Sequence, residues 1–280
     1  MRSASEKTNL MTLIRPNRGW SGLDLYELWE YRDLLYFLVK RDIQVKYRQT
    51  VLGVLWVVLQ PFLTMVVFSI FFGKLAKLPS EGLPYPIFIY AALLPWQLFS
   101  NSILECSNSL VANQHLITKV YFPRLVIPMA SVLSAFADFA VAFLILIVMM
   151  FFYGVFPNSA ICALPIFLLL ALLCALGVGL WLSALNVQYR DVRYTVPFLM
   201  QLWFFITPVA YPASLVPSSW RFFYGLNPMA GVVEGFRWVL LAKAEVSTTI
   251  LISSFLITLV LLVSGFRYFK RMERNFADVI

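Results

Sequence analysis

The sequence predicts an all-α integral membrane protein, and its composition and its long apolar stretches both support that prediction. Of the 280 residues, 61% are hydrophobic and only 13% are charged, whereas a soluble domain carries about 25% charged residues. A water-soluble protein of this composition would expose large apolar patches and aggregate. The apolar runs are long and continuous, unlike the alternating strands of a membrane barrel. Because backbone amides in lipid must bond within their own segment, we expect helices.

An amphipathic helix is predicted over residues 23–41, ahead of the first membrane span. Charged side chains occupy one side of this helix, with Arg32 as the exception. Such a helix suits the headgroup layer of a membrane. It serves either as a plain anchor for the first span or as a docking surface for a cytoplasmic partner. The apolar side chains that share the other side are Leu25, Leu28, Tyr31, Leu35, Leu38 and Val39.

Six apolar segments are long enough to cross a membrane, because a crossing helix needs roughly 20 residues. Pro95 in the second segment and Pro197 and Pro208 in the fifth predict that these two are bent or broken. Five spans plus a re-entrant hairpin is the alternative. We expect a cytoplasmic arm over residues 1–50, one transmembrane domain over 51–266 and a cytoplasmic tail over 267–280. The predicted spans cover residues 51–73, 86–104, 125–153, 160–185, 194–212 and 246–266.

The distribution of basic residues predicts the orientation of the chain. Seventeen of the 22 lysines and arginines precede the first span, lie in the loops before the third and fifth spans, or lie in the tail. The other five fall on the opposite side. Cytoplasmic loops of membrane proteins carry the excess of Lys and Arg. Both termini are therefore expected in the cytoplasm.

Two segments between the spans suggest roles outside the bilayer core. Residues 105–123 are too polar to span but have helical spacing. They predict a short cytoplasmic helix, which is either a simple turn or a contact with a soluble subunit. Residues 211–228 mix prolines with aromatic side chains. They form either an aromatic belt at the membrane surface or a re-entrant hairpin that closes the outer mouth of a pathway.

Residues for covalent or metal chemistry are scarce in this chain. His115 is the single histidine, the three cysteines lack metal-type spacing, and no GxxxxGK[ST] phosphate loop occurs. We therefore expect no catalytic residue, no metal site and no ATP hydrolysis by this chain. Asp138 is the one carboxylate deep in a span; we expect it to be hydrogen-bonded among small residues, with a functional role as the alternative. A membrane-embedded enzyme acting on polyprenyl phosphate is the other class considered, but the acidic residues are scattered.

Two further patterns bear on a possible cargo. Aromatic residues in the spans form either lipid-facing bulk or a pathway whose ring faces stack on sugars, and composition leaves both interpretations open. Lys46 and Arg48, with Arg190 and Arg193, lie where they could attract the phosphate or diphosphate of a lipid-linked glycan. The general excess of positive charge on the cytoplasmic side explains the same residues without any substrate.

Three stretches together resemble one family. They are residues 41–61 (RDIQVKYRQTVLGVLWVVLQP), 186–212 (NVQYRDVRYTVPFLMQLWFFITPVAYP) and 224–241 (YGLNPMAGVVEGFRWVLL). In this order, and with six spans, they look like the permease subunit of type-2 ABC exporters for polysaccharides, which export O-antigen, capsule or teichoic acid. The resemblance covers essentially the whole chain.

The resemblance implies a homodimeric permease in the bacterial inner membrane that binds two copies of a separate ATPase subunit. The implied cargo is a lipid-linked glycan, most often O-antigen, and ATP and Mg would be bound by the ATPase, with no cofactor on this chain. The helix at 23–41 and a coupling helix near 109–119 would contact the ATPase, and residues 214–225 would form the outer gate. The implied channel residues are Trp56, Trp96, Phe99, Trp203, Phe204, Phe205 and Tyr211; the gate residues are Trp220, Arg221, Phe222 and Tyr224; and the coupling residues are Leu110, Asn113, His115, Leu116 and Lys119.

Overall fold

The computed structural model describes residues 25–48, 53–157, 159–217, 220, 224–241 and 247–276. These residues form helices and the turns that join them, without strands in the described part of the chain. We number the α-helices in chain order. They are α1 (Leu25–Glu30), α2 (Arg32–Arg48), α3 (Val54–Phe68), α4 (Tyr85–Ala112), α5 (Gln114–Lys119), α6 (Val126–Tyr153), α7 (Leu164–Gln188), α8 (Val192–Ile206), α9 (Pro228–Leu241) and α10 (Thr248–Met272).

Five helices in the described residues are long and apolar enough to cross a membrane, which confirms the membrane prediction but not the count of six spans. Four of them lie within a few residues of predicted spans: Leu55–Leu75, Val126–Tyr153, Ser159–Gln188 and Thr248–Met272. The first combines α3 with a π-helical extension, Ser69–Leu75, and the third includes the 3-10 turn that precedes α7.

The predicted second span is longer than expected and unbroken. Helix α4 runs continuously through Pro95 to Ala112, so a break at this proline was a wrong expectation. Pro95 is buried within the bundle, where neighbouring helices can compensate for its missing amide donor. The segment near 109–119 is therefore divided: its first residues complete α4, and the separate short helix α5 begins only at Gln114.

Helix α4 is the centre of the bundle. In its most apolar stretch, 78% of the residues are buried, against 11–33% in the other four long helices. It packs most extensively against α6 and α7. A continuous central helix of this kind gives the bundle a rigid axis against which the other helices are placed.

Helices α7 and α10 cross at very close range through two glycines. A Cβ atom on Gly177 would lie 2.7 Å from the backbone nitrogen of Leu262, and Gly265 faces Gly177 across the same crossing. Small residues let backbones approach in this way and maximise van der Waals contact where no hydrophobic effect drives association. These glycines therefore fix the position of α10 on the bundle.

The fifth predicted span differs most from expectation. Helix α8 has 15 residues, about 22 Å at 1.5 Å per residue, which is shorter than a hydrocarbon core of about 30 Å. It ends at Ile206 because Thr207 is extended, as the residue before a proline tends to be. The chain then turns through residues 207–212 and a 3-10 turn, Ala213–Leu215. The predicted fifth span is therefore helical only as far as Ile206, and residues 207–212 are not helical.

Among the described residues, six helices nevertheless run along the bundle: α3, α4, α6, α7, α8 and α10. At one end, which we call the coupling end, α2, α5, the last turns of α4, α7 and α10 and the first turn of α6 share a hydrophobic cluster. Helix α8 starts at this end, directly after α7, and its far end contacts α9. Helix α10 then begins beside α9 and returns to the coupling end. Helix α8 is thus a short fifth pass.

Helices α1 and α2 pack their apolar side on the coupling end. Leu38 is buried there, and Leu28, Tyr31, Leu35 and Val39 are half-buried against the same cluster. These are the side chains that the helical pattern placed together. The opposite side of the two helices exposes Trp29, Tyr36, Phe37 and Val45, so a second apolar surface remains open.

Candidate functional site

A groove of about 280 Å³ lies between α3, α4 and α6. Helix α2 closes its lower end through Lys46. Helix α3 contributes an indole and an amide to the groove, α4 contributes polar side chains at a four-residue spacing, and α6 contributes small residues and a carboxylate. The four-residue spacing puts the α4 side chains on one face of that helix. The polar and aromatic lining residues are Lys46, Trp56, Gln60, Gln97, Asn101, Glu105, Asp138 and Phe139.

An ion-pair cluster joins three helices at the lower end of this groove. Lys46 Nζ of α2 lies 2.6 Å from Glu105 Oε1 of α4 and also donates to Asp138 Oδ2 of α6. The hydroxyl of Tyr47 donates to the other oxygen of Asp138, and Ser134 Oγ donates to Glu105 at 3.1 Å. Burial lowers the pKa of Lys46, but the two carboxylates outweigh burial and leave that pKa above its usual value.

The expected hydrogen bonding of Asp138 is therefore present, but its principal partners come from another helix. The Asp138 side chain is only 9% exposed, and a carboxylate at such depth needs a cation or several donors. Lys46 and Tyr47 supply both. The cluster fastens α2 to the transmembrane bundle, because it is the point where polar side chains of α2 reach both α4 and α6.

An aromatic cluster occupies the space between α3, α4 and α8. The ring of Trp96 lies 5.6 Å from the rings of both Phe99 and Phe204, and Phe99 packs edge-on against Trp203 at 5.1 Å. Phe68 of α3 completes the cluster at 5.6 Å from Phe204. These centroid separations suit favourable edge and tilted contacts. Four residues expected in the channel thus contact one another.

The remaining expected channel residues lie apart from that cluster. Trp56 is 52% exposed and lines the groove, while Phe205 is 60% exposed on the outer side of α8. Tyr211 is half-buried, and its hydroxyl donates weakly to the carbonyl of Ile206 at 3.3 Å. Trp96 and Phe99, by contrast, are 5% and 0% exposed. A pathway along this wall would therefore use the α8 aromatics as its surface, with Trp96 and Phe99 behind them, and Trp56 belongs to the separate groove.

Arg237 holds the turn after α8 against α9 and α4. Its guanidinium is buried, and it donates to the carbonyls of Pro208 at 2.7 Å and Val209 at 2.6 Å. Longer bonds of 3.3 Å reach the carbonyls of Tyr211 and Phe88, and the Phe88 ring lies 3.7 Å from the guanidinium carbon. The planar, five-donor guanidinium satisfies carbonyls that the end of α8 leaves without helical partners.

Asn227 fastens the other side of the same turn. Its Oδ1 accepts from the indole of Trp203 at 2.9 Å and from the backbone amide of Met229 at 3.1 Å. Its Nδ2 donates to Thr207 Oγ1 at 2.9 Å. The bond to Met229 is the N-cap interaction that starts α9. Helices α8 and α9 thus form a hairpin that is fixed at its bend, and we call residues 192–241 the outer hairpin.

The coupling end joins α2 to the loop before α5. Arg41 Nη2 donates to Asn113 Oδ1 at 2.8 Å, and Asn113 Nδ2 donates back to the carbonyl of Ser109 at 2.8 Å. Two of the expected coupling residues, Leu110 and Leu116, belong to the hydrophobic cluster. His115 and Lys119 are exposed. The surface beside them also exposes Val120 and Tyr121.

The other expected site residues lie in three places. Arg190 and Arg193 are exposed at the start of α8, and Arg48 is exposed at the end of α2. Lys46 points instead into the ion-pair cluster. Among the gate residues, Trp220 is 63% exposed and Tyr224 is half-buried, with the pKa of Tyr224 raised chiefly by burial. Arg221 and Phe222 lie outside the described residues.

Sequence reasoning missed several functional side chains. Gln97, Asn101 and Glu105 received no predicted role. Their four-residue spacing on α4 was the available signal, because it places all three on one face. Arg237 and Asn227 gave no comparable signal, since their partners are backbone carbonyls and side chains of a turn that no sequence pattern marks.

No three His, Cys, Asp or Glu side chains come close enough to hold a metal ion within the part of the chain that the structure describes. Cys106 and Cys174 are buried and Cys162 is exposed, and all three are free thiols. The buried pair packs inside α4 and α7. The arrangement of the groove, the aromatic cluster and the outer hairpin therefore suits binding and movement of a molecule better than covalent chemistry.

Comparison with known proteins gives a consistent family. Residues 33–241 match the family described as ABC-2 type transporter. The chain is 31% identical over 257 residues to an O-antigen export system permease protein RfbA from Myxococcus xanthus, covering 91% of this chain and 98% of that relative. It is 27% identical to a protein of the same name from Klebsiella pneumoniae, with the same two coverages. A polysialic acid transport protein KpsM from Escherichia coli is 22% identical over 198 residues, 70% of this chain and 77% of its own length.

Proposed function

Because this chain belongs to the ABC-2 type transporter family, we propose that it is the permease subunit of an ATP-driven exporter that moves lipid-linked O-antigen polysaccharide out of the cytoplasm. The main support for this proposal is the similarity to two O-antigen export permeases, which covers 91% of this chain and 98% of each relative. The family match runs from α2 through α9 and so includes the groove, the aromatic cluster and the outer hairpin. The chain is a transporter subunit and not an enzyme.

The energy source in this proposal is a separate ATPase subunit, present in two copies, that docks at the coupling end. Two exposed apolar surfaces there support it: Trp29, Tyr36 and Phe37 on α1 and α2, and Val120 and Tyr121 after α5. Exposed aromatic residues of this kind are typical anchors in protein interfaces. ATP and Mg bind to the ATPase in this scheme, and the permease holds no cofactor of its own.

The transport path in this proposal lies between two copies of the chain. Helix α8 supports a homodimer, because it exposes Phe198, Leu202, Phe205 and Ile206 along its length, and the aromatic cluster lies directly behind that face. A wall of ring faces without charges lets a polar, uncharged polymer slide while binding it only weakly. The outer hairpin, with Trp220 and Tyr224, closes the far end of this path.

The proposed topology has six membrane crossings and both termini in the cytoplasm of an inner membrane. Six passes along the bundle bring α2 and the end of α10 to the same end, and that end carries the excess of basic residues. The short helix α8 would complete its crossing through the turn that Arg237 holds. Three exposed basic side chains at this end, Arg48, Arg190 and Arg193, would attract the lipid diphosphate. Lys46 would not, because its charge is neutralised by Glu105 and Asp138.

Complementation tests the proposed function directly. The chain and the ATPase subunit proposed as its partner are expressed in a bacterium that lacks its own O-antigen permease. Surface polysaccharide is detected with an antibody against the O-antigen. Surface staining should require both proteins. A Phe205→Ala variant should reduce it several-fold, whereas Phe152→Ala, which removes a ring that is 82% exposed on α6, should not. Surface polysaccharide without the ATPase would refute the proposal. Export of capsule but not of O-antigen would show that the cargo is capsular polysaccharide.

A further inference from the structure

Three side-chain amides in the groove lack partners in the folded chain. Gln97 and Asn101 of α4 and Gln60 of α3 all line it. Among the described residues, none of these amides takes part in a side-chain hydrogen bond. Asn108, about two turns beyond Asn101 on α4, has partners at both ends of its amide. An amide has two donors and two acceptor positions, so the groove presents a set of unused hydrogen-bonding groups.

These amides lie at membrane depth. Gln97 and Asn101 are 12 and 16 residues into a 28-residue helix, about 18 and 24 Å along an axis of about 42 Å. An unpaired polar group in an apolar surrounding is costly, and its partners are then a ligand or water. The chain does not use these residues to join helices, as it uses Ser134 and Lys46. The position of Gln97 and Asn101 in the middle of the most buried helix, facing a groove, points to a ligand.

The charge of the groove selects the class of ligand. Lys46 faces two carboxylates, Glu105 and Asp138, at its lower end, which leaves one unit of negative charge if all three are ionised. An anion such as a phosphate is repelled there. A molecule that offers several neutral hydroxyl groups can instead donate to the carboxylates and exchange bonds with the amides.

The volume of the groove and the indole of Trp56 limit the possible ligands further. Trp56 lines the groove and is 52% exposed, so its ring face is available to the apolar face of a flat ring. The volume of about 280 Å³ lies at the lower limit of about 300 Å³ for small-molecule sites. It therefore has room for about one sugar ring.

We propose that the groove between α3, α4 and α6 is a binding site for a single neutral sugar, the one attached to the lipid diphosphate of the cargo. Gln60, Gln97 and Asn101 bond its hydroxyl groups, and Trp56 stacks on its ring. This inference rests on the proposed function, since that function supplies the lipid-linked glycan. It places sugar recognition inside each copy of the chain, apart from the aromatic wall along which the polymer moves.

The test compares two probes on the permease–ATPase complex in lipid nanodiscs. One probe is a polyprenyl diphosphate that carries one neutral hexose, and the other is the same lipid without sugar. We expect the wild-type complex to bind the hexose-bearing probe about tenfold more tightly, because tenfold corresponds to about 1.4 kcal/mol and a net hydrogen bond contributes about 0.5–1.5 kcal/mol. The double variant Gln97→Leu/Asn101→Leu should bind both probes equally.

The matched control is Gln44→Leu, which removes an exposed amide from α2 outside the groove and should keep the tenfold preference. A Gln60→Leu variant at the edge of the groove should lose part of the preference, and it provides a second reading if the double variant does not assemble. Equal binding of the two probes by the wild-type complex, or a full preference in both groove variants, would overturn the proposal. The wild-type chain is also tested for export of O-antigen to the cell surface. Export without a preference for the hexose-bearing probe refutes only the sugar-binding role of the groove, and absence of export refutes the proposed function.

Discussion

Arg237 should be the most important single residue for the stability of the outer hairpin. Replacing it with leucine keeps much of the volume but removes the donors to the carbonyls of Pro208, Val209, Tyr211 and Phe88. The carbonyls of Pro208 and Val209 are buried in the turn, where water cannot replace the lost bonds. The turn is the only connection in the described residues between the end of α8 and the 3-10 turn that follows it, so its loosening should detach α8 from α9.

The magnitude follows from the geometry of the four bonds. The two short ones, at 2.6 and 2.7 Å, contribute about 1.5–3 kcal/mol each, as bonds from a charged donor do. The bonds at 3.3 Å add little. Removing the buried cation also relieves its desolvation, a term of several kcal/mol. We therefore expect Arg237→Leu to lower the free energy of unfolding by about 2–4 kcal/mol, the short-bond contribution less part of the desolvation term.

Thermal unfolding in detergent measures this change. The buried thiols of Cys106 and Cys174 become reactive toward a maleimide dye as the bundle opens, and Cys162→Ser removes the exposed background. At about 2 °C per kcal/mol for a chain of this size, the midpoint should fall by about 4–8 °C. Arg267→Leu, which removes an exposed arginine near the end of α10, is the control and should shift the midpoint by less than about 1 °C, as surface substitutions do. A midpoint for Arg237→Leu that equals that of the control would refute the reasoning.

Three further variants test other contacts. Lys46→Met should lower the free energy of unfolding by about 2 kcal/mol, less than the loss of a fully buried ion pair, because Lys46 is 35% exposed. Adding Asp138→Asn should restore most of this loss in the same thermal assay. A second loss that adds to the first would contradict the ion pair. Asn113→Ala removes the bond to Arg41. The ATPase should still co-purify, but the amount of glycan exported per ATP hydrolysed should fall several-fold. An unchanged ratio would argue against transmission of the ATPase movement through α2. Gly177→Leu should abolish a monodisperse peak in size-exclusion chromatography because its Cβ meets the backbone of α10, whereas Gly154→Asn, at a φ of 64° that asparagine tolerates, should retain the peak.

The long helices could be predicted from sequence because hydrophobicity alone determines them. The starts of α6 and α10 were placed within two residues. Five of the six side chains predicted for the apolar side of α1 and α2 lie in the cluster, which also contains Leu34; the side chain of the sixth, Leu25, lies outside the described residues. The end of α8 was predicted only in part. Pro208 indicated a break, but the span was extended to residue 212, and no sequence pattern marks the bonds that Arg237 and Asn227, 20 to 30 positions further along the chain, make with this turn.

The site was predictable in its chemistry but only partly in its arrangement. The aromatic residues of α4 and α8 were identified together, and four of them do contact one another. Lys46 was grouped with Arg190 and Arg193 as an anion attractant, but its partners are carboxylates 59 and 92 positions away. Contacts over such separations depend on how helices pack, and helical periodicity describes only which side chains share a face.

Helix α4 links the two ends of the molecule mechanically. At one end the hydroxyl of Tyr85 donates to the carbonyl of Ala210 at 2.6 Å, inside the turn that Arg237 holds. At the other end Leu110 is buried in the cluster that α5 completes, and Asn113 bonds to Arg41 of α2. Helix α4 is continuous over about 42 Å, and Lys46 fastens α2 to the same helix through Glu105. We infer that a push on α5 moves the outer hairpin and the groove together, because both are attached to α4.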